Sequence, residues 1–195
     1  MKTIFVSAVL AVAIVPTVAA AQAIPGAVVA VVDLDRVSRD CNACKSAAAT
    51  LQGRATALQN RQRTLAAPLE TEGKSIQAAI DALQGKPADT ALQNRAKAWD
   101  TKRNAAAQEL QRSQEQLQRD QQYIGQQIST KLGPIYSQVM QRRGANMMLE
   151  VGSTLATSNA VNVTNDVLAA LNAALPSVQT NAPAATQQRQ QPQGR

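Results

Sequence analysis

The feature that most constrains this chain is a long section, residues 45–143, in which apolar residues recur with the spacing of a helix seam. Counted from Ala48, the a and d positions of the heptad repeat are apolar at all but two places in the first half of the section. A seam sustained in this way predicts a helix that pairs with another helix along its length. Its residues are Ala48, Leu51, Ala55, Leu58, Gln62, Leu65, Leu69, Glu72, Ile76, Ala79 and Leu83.

Residues 84–89, QGKPAD, interrupt this seam with a glycine and a proline, which end helices. A less regular seam follows, with Arg103, Ser113 and Asp120 at core-type positions. Two long helices joined by a short turn predict an antiparallel hairpin, with helices of roughly 60 Å and 80 Å. Because globular helices average about 12 residues, this hairpin should project as an arm with its tip at 84–89. The second seam comprises Leu92, Ala96, Trp99, Ala106, Leu110, Leu117, Ile124, Ile128, Leu132, Ile135 and Val139.

Helix-breaking residues occur inside both predicted helices: Pro68 and Gly73 in the first, Gly133 and Pro134 in the second. An interior proline costs about 3 kcal/mol in a regular helix. Either tertiary packing tolerates these residues or the arm bends at them. The sequence leaves both interpretations open.

The segments that flank the arm predict a small β-rich base. Residues 28–33 form a β-branched run typical of a strand, and residues 146–151 predict a second strand, continued around 154–157. Thr164 is placed to cap a final helix at about 165–175. These elements bury too little surface to fold alone. We therefore predict an α+β, mainly α, protein whose base, residues 24–44 and 144–180, is assembled by oligomerisation.

The two ends of the chain differ from the rest. Residues 1–23 combine Lys2, an apolar run and the sequence Ala21-Gln22-Ala23. This pattern is typical of a cleaved signal peptide and predicts export. Residues 181–195 are polar and broken by proline, so we predict a disordered tail.

Charge is concentrated in the arm, where residues 45–143 contain 15 basic and 8 acidic side chains. This excess suits a partner with negative charge, such as anionic lipid, lipopolysaccharide or an acidic client protein. A solvated helix face is the alternative for each basic residue taken singly. The candidate surface comprises Arg61, Arg63, Lys74, Lys86, Arg95, Lys97, Lys102 and Arg103.

The only two cysteines, Cys41 and Cys44, form a C-x-x-C pair next to the arm. An exported protein meets an oxidising environment, which favours a structural disulfide within a chain or between chains. Free buried thiols, a redox pair and a zinc site shared between subunits are the alternatives. Asp40 could cap a helix that starts at Cys41, which would lower a thiol pKa. One chain alone offers no metal or cofactor site.

Enzymes and nucleic-acid binders are disfavoured. The chain has no histidine, no G-x-S-x-G, no H-E-x-x-H and no glycine-rich phosphate loop. After the signal peptide the only aromatic residues are Trp99, Tyr123 and Tyr136, too few for base stacking. We predict a non-enzymatic protein without cofactors.

Three stretches together resemble the Skp/OmpH family of periplasmic chaperones: VVAVVDLDRV at 28–37, NMMLEVG at 146–152 and VNVTNDVLAALN at 161–172. The resemblance implies a homotrimer with a β-barrel body and three helical tentacles. Their cavity would hold unfolded outer-membrane β-barrel proteins without consuming nucleotide. The C-x-x-C pair and the Gln/Pro-rich tail depart from the family pattern.

Under this interpretation the apolar side of each arm contacts clients through many weak contacts. The alternative for each residue is that it only pairs the two helices. A rival function is an envelope coiled-coil structural or adaptor protein that binds anionic lipid or cell-wall components without chaperone activity. The candidate client-contacting residues are Leu58, Leu65, Leu69, Ile76, Leu83, Leu92 and Trp99.

Overall fold

Two long antiparallel helices dominate the computed structural model, which describes residues 25–183. They extend from a small base that contains two strands, so the predicted α+β, mainly α, fold class is confirmed. The predicted signal peptide and most of the predicted tail lie outside the described residues. The elements are β1 (Val29–Val32), α1 (Leu34–Asp40), α2 (Asn42–Asp81), α3 (Thr90–Arg143), β2 (Met147–Glu150), short 3-10 turns at Val151–Ser153 and Asn159–Val161, and α4 (Thr164–Ala174).

Local signals in the sequence explain where the hairpin reverses. The chain turns between α2 and α3 with positive φ angles of 50° at Gln84 and 87° at Gly85. Asp89 then caps α3, since its carboxylate accepts a hydrogen bond of 2.8 Å from the Leu92 N–H. At the far end, Gly144 closes α3 in the left-handed conformation.

Both interior prolines are accommodated within continuous helices, Pro68 in α2 and Pro134 in α3. Gly73 has a packing role, because a Cβ atom at this position would lie 3.0 Å from a ring carbon of Trp99 on α3. The absence of a side chain therefore lets the two helices approach around the indole. This geometry supports tolerance by packing at Gly73.

The seam follows the predicted register along most of the arm, where its leucines and isoleucines are half-buried or buried. The register differs at the base, where Ala47 is buried and Ala48 is exposed. Ala43 and Cys44, one turn earlier, belong to the core of the base. The first turns of α2 therefore face the base rather than α3. The buried side of the helix is rotated there relative to the seam.

The core of the base lies between β1, α1, α4 and the adjoining ends of the arm helices. β1 and β2 are parallel, with Val29 opposite Met147 and Val32 opposite Glu150. Asn162 adds a parallel bridge to Val31. The buried core residues are Ala30, Val32, Val37, Cys41, Ala43, Cys44, Ile135, Val139, Val163, Val167, Leu171 and Leu175.

Three local features of the base differ from the sequence interpretation. Helix α1 was not predicted; Asp33 caps it by accepting a 2.7 Å hydrogen bond from the Arg36 N–H. Asp40 is the last residue of α1 rather than the cap of α2, and Cys41 takes that place. Thr164 does not cap α4, because its hydroxyl accepts a 2.9 Å hydrogen bond from the Asp33 N–H. Each difference arises from a contact between segments distant in sequence or from an unrecognised short helix.

The predicted extension of the second strand is wrong. Residues 154–157 have no strand structure, and the side chain of Leu155 is fully exposed. The 3-10 turn Val151–Ser153 ends the extended conformation after Glu150. β2 therefore stops where its pairing with β1 stops.

Cys41 and Cys44 are joined by a disulfide at the junction between α1 and α2, with their Cα atoms 5.1 Å apart. The two residues are 0% and 8% exposed and belong to the core of the base. The bridge thus closes the first turn of α2, and that turn is packed in the core of the base.

Replacing both cysteines with alanine should lower the free energy of unfolding by about 2 kcal/mol. A disulfide that closes even a four-residue loop lowers the conformational entropy of the unfolded chain, which accounts for about that free energy. Urea unfolding at fixed protein concentration measures the change, and reductant should weaken the wild type but not the variant. Two free thiols in the unfolded, unreduced protein would contradict the pairing.

Candidate functional site

The arm carries three shallow grooves between α2 and α3. The tip groove is about 420 Å³, the middle groove about 420 Å³ and the lower groove about 340 Å³. The tip groove is lined by Ala79, Leu83, Pro87, Asp89, Ala91, Leu92 and Arg95. The middle groove is lined by Leu65, Pro68, Leu69, Glu72, Trp99, Lys102, Ala105, Ala106 and Glu109. The lower groove is lined by Arg54, Ala57, Leu58, Arg61, Ser113, Gln116, Leu117 and Asp120.

These grooves contain six of the seven apolar residues proposed from the sequence to contact clients. Leu83 and Leu92 line the tip groove, and Leu58 lines the lower groove. The middle groove takes the other three, namely Leu65, Leu69 and Trp99. All six are half-buried, so the same side chains pair the helices and form the groove surface. Ile76 is only 6% exposed and packs inside the hairpin.

Trp99 is fixed in the middle groove by three contacts. Its indole N–H donates a 2.8 Å hydrogen bond to the Leu69 carbonyl on α2. The guanidinium carbon of Arg103 lies 4.8 Å from the ring centroid, a cation–π contact. The indole also fills the space above Gly73. The largest apolar side chain of the arm is therefore held in one position.

Ion pairs between the helices form the rim of the middle groove. Arg61 pairs with Glu109 and Arg95 pairs with Glu72, each joining α2 to α3. Hydrogen bonds from these arginines lower the pKa of Glu72 and Glu109 below the ordinary glutamate value. Both carboxylates are therefore charged at neutral pH, and each balances the positive charge of the arginine that it faces.

The predicted basic surface divides into paired and unpaired residues. Lys74 pairs with Glu70, and Arg103 pairs with Asp100, each within one helix. Together with Arg61 and Arg95, this makes four of the eight that are paired. The remaining four are exposed and have no ion pair within residues 25–183; they are Arg63, Lys86, Lys97 and Lys102. The unneutralised positive charge of the predicted surface is concentrated in these residues.

Below the lower groove, residues 176–183 leave the base and lie against the arm; we call this segment the strap. The Gln127 amide accepts a 2.9 Å hydrogen bond from the Gln179 N–H and donates one of 2.8 Å to the Gln179 carbonyl. Asp120 accepts a 2.8 Å hydrogen bond from the Ala182 N–H, and Gln116 donates to the Ala182 carbonyl. The sequence predicted disorder from residue 181, but Ala182 is buried. The predicted tail beyond 183 lies outside the described residues.

Asp120 is the centre of these contacts and is only 1% exposed. Burial opposes its ionisation, but the Ala182 N–H, the Gln116 amide and the Arg54 guanidinium outweigh burial and hold its pKa below the ordinary aspartate value. Arg54 also donates to the Thr180 carbonyl, so it joins α2, α3 and the strap. A charged carboxylate is thus stabilised inside the arm.

In the sequence, Asp120 is visible only as an interruption of the seam, and no pattern singles out Arg54, Gln116 or Gln127. The available signal was an aspartate at a core-type position, since such a group needs buried partners. Those partners come from α2 and from the strap, 66 and 62 residues away in sequence. The heptad pattern cannot reveal contacts of that kind.

Within residues 25–183, no group of three or more histidine, cysteine, aspartate or glutamate side chains is arranged to hold a metal ion. None of the described helices combines the length and the apolar character that a membrane span requires.

Comparison with known proteins gives a family match and a structural match. The family model for outer membrane protein (OmpH-like) matches residues 28–171. A crystal structure from Caulobacter crescentus, described as an outer membrane chaperone (OmpH-like), is 22% identical with a TM-score of 0.67. The match covers 86% of this chain and 96% of the Caulobacter chain, so the two share a fold. None of the curated proteins matches the chain.

Proposed function

Because the chain belongs to the family of OmpH-like outer membrane proteins, as its sequence predicted, we propose that it is a holdase chaperone of the bacterial envelope. Its clients are unfolded outer-membrane β-barrel proteins, which it binds without nucleotide and keeps from aggregating. Membership of the family supports a chaperone role, and the periplasm is the compartment of such chaperones. The export signal predicted at residues 1–23 agrees with that location.

The observation that carries this proposal is the series of open apolar grooves along the arm. Each groove is shallow and exposes half-buried leucines or Trp99. Single apolar contacts of this kind are weak, but many of them together hold a flexible chain without imposing one conformation. The unpaired basic residues add attraction over a longer range for acidic clients.

Assembly into a homotrimer is part of the proposal. β2 exposes Met147 by 44% and Leu149 by 38%, and β1 and β2 alone make a sheet too small to be stable. A strand with one unpaired edge and exposed apolar side chains is well suited to pair with another copy of the chain. Sedimentation equilibrium of the mature protein should give the mass of three chains, whereas a monomer would contradict the assembly.

Dilution of a urea-unfolded outer-membrane β-barrel protein tests the holdase function. We expect the protein to suppress the rise in light scattering at a trimer-to-client ratio near one. Added salt should weaken capture, because it screens the attraction between exposed charges. An unchanged rate of scattering would refute the holdase function.

A pair of variants isolates the charge contribution. Lys97→Gln/Lys102→Gln should reduce capture several-fold at low salt, since both lysines are exposed on the arm and Lys102 lines the middle groove. The matched control Lys45→Gln/Lys131→Gln removes the same charge near the base and should have a smaller effect. Tight binding to anionic vesicles without suppression of aggregation would instead favour the envelope structural or adaptor protein.

A further inference from the structure

The arm holds the strap by its main chain. Gln127 makes two hydrogen bonds to the peptide groups of Gln179, one accepted and one donated. Asp120 and Gln116 make the same two kinds of contact with Ala182, and Arg54 adds a bond to the Thr180 carbonyl. Apart from a 3.5 Å contact between Arg54 and the Thr180 hydroxyl, these bonds use atoms that every residue except proline possesses.

The arm residues hold the strap at two separate points. Gln179 and Ala182 are three residues apart, and the chain bends at Asn181 between them. Asp120 and Gln127 are seven residues apart on α3, which is about 10 Å along a helix. At both points the hydrogen bonds join arm side chains to peptide groups, and the side chains of Gln179 and Ala182 make none of them.

The position of these contacts connects them to the grooves. Asp120, Gln116 and Arg54 also line the lower groove, so residues 180–182 of the strap lie at the edge of that groove. A chain bound at these residues could continue along the arm towards Trp99. The contacts with the strap and the surface proposed for clients are therefore contiguous.

We propose that Arg54, Gln116, Asp120 and Gln127 form a binding site for polypeptide main chain. The strap occupies this site, and an unfolded client displaces the strap. The displacement by a client rests on the proposed holdase function; the binding of main chain does not. A site that binds peptide groups suits ligands of varied sequence, because it needs no particular side chain. We call these four residues the main-chain clamp.

An occupied clamp should weaken the binding of other chains. The strap is tethered to the arm, so it competes at a high effective concentration even if its own affinity is low. If the strap occupies the clamp in about nine molecules of ten, the apparent affinity for a competing chain falls about tenfold. Release of the strap should restore that affinity.

The test uses full-length chains that differ only in the strap. Gln179→Pro/Ala182→Pro removes the two N–H groups that donate hydrogen bonds to Gln127 and Asp120. The four residues of the clamp are unchanged. The matched control is Asn181→Pro, because the Asn181 N–H makes no hydrogen bond within residues 25–183. Circular dichroism establishes that the arm stays helical in both variants.

The probe is the fluorescein-labelled heptapeptide SVQTNAP, which copies residues 177–183. By fluorescence anisotropy the released variant should bind it about tenfold more tightly than the wild type or Asn181→Pro. Adding Gln127→Ala to the released variant should abolish most of that gain. Equal binding by all chains, or a gain that survives Gln127→Ala, would overturn the clamp.

A competition experiment then identifies the ligand class. Urea-unfolded outer-membrane β-barrel protein should displace the labelled peptide from the released variant. If it fails to do so at saturating concentration, the clamp holds only the strap and the role in client binding is overturned. Suppression of aggregation is measured separately, so failure of the holdase function and failure of the clamp are distinguishable.

Discussion

Replacement of Asp120 by alanine should lower the free energy of unfolding by roughly 3 kcal/mol. The variant leaves the buried Ala182 N–H without its acceptor and removes one of the two hydrogen bonds that the Gln116 amide donates. Hydrogen bonds to a charged group contribute about 1.5–3 kcal/mol each. Arg54 is partly exposed and can be solvated, so its lost ion pair adds little. Urea unfolding at fixed protein concentration measures the change, because the proposed trimer would make stability depend on concentration.

Asp100→Ala provides the control for this prediction. Asp100 also pairs with an arginine on α3, but its side chain is 54% exposed. Exposed pairs of this kind contribute up to about 1 kcal/mol, so the control should lie close to the wild type. Equal stability of Asp120→Ala and Asp100→Ala would show that the buried carboxylate does not anchor the strap.

The contribution of Asp120 should depend on pH in a defined direction. Its pKa in the folded state lies below the ordinary value of 3.8, so the folded protein releases this proton more readily than the unfolded chain. The stabilisation is therefore complete above that ordinary value and is lost as pH falls through the lower folded pKa. The difference between wild type and Asp120→Ala should accordingly shrink in strong acid and stay constant near neutral pH.

Replacement of Trp99 by alanine should lower the stability of the hairpin by about 3 kcal/mol, near the lower end for a truncated tryptophan because the ring is only half-buried. The variant loses the hydrogen bond to the Leu69 carbonyl, the contact with Arg103 and the packing over Gly73. Hydrogen exchange of the amides around Leu69 measures the effect, since the middle of the arm can open without unfolding of the base.

Trp99→Phe serves as the comparison, because it keeps an aromatic ring in the groove and removes the indole N–H. We expect a loss of about 1 kcal/mol, which is the usual contribution of one hydrogen bond. If the alanine variant exchanges no faster than the phenylalanine variant, packing of the ring does not hold the helices together.

The arm was predictable because its determinants are local. The seam from Leu51 to Val139 has a period set by helix geometry, and the break at Gly85 and Pro87 has a steric cause. The resemblance to the Skp/OmpH family likewise rested on short strands and a final helix that the structure contains. Regular periodicity and turn chemistry can both be read from neighbouring residues.

The candidate site was only partly predictable. Leucines at seam positions were correctly expected along the hairpin, but a linear pattern cannot tell which of them also line a groove. The same holds for charge: Arg61 and Lys97 look alike in the sequence, and only the first faces a glutamate on the other helix. Which charges remain unpaired depends on the register of α2 against α3.

The sequence by itself determined that this chain builds a long hairpin on a small mixed base, because heptad spacing and helix-ending residues act over a few neighbours. Only the tertiary structure decided that Asp120 is a buried residue that binds the strap rather than a polar interruption of the seam. A buried carboxylate is stable only with hydrogen-bond donors around it, and here the donors come from α2, α3 and the strap. Those three segments meet only when the chain has folded.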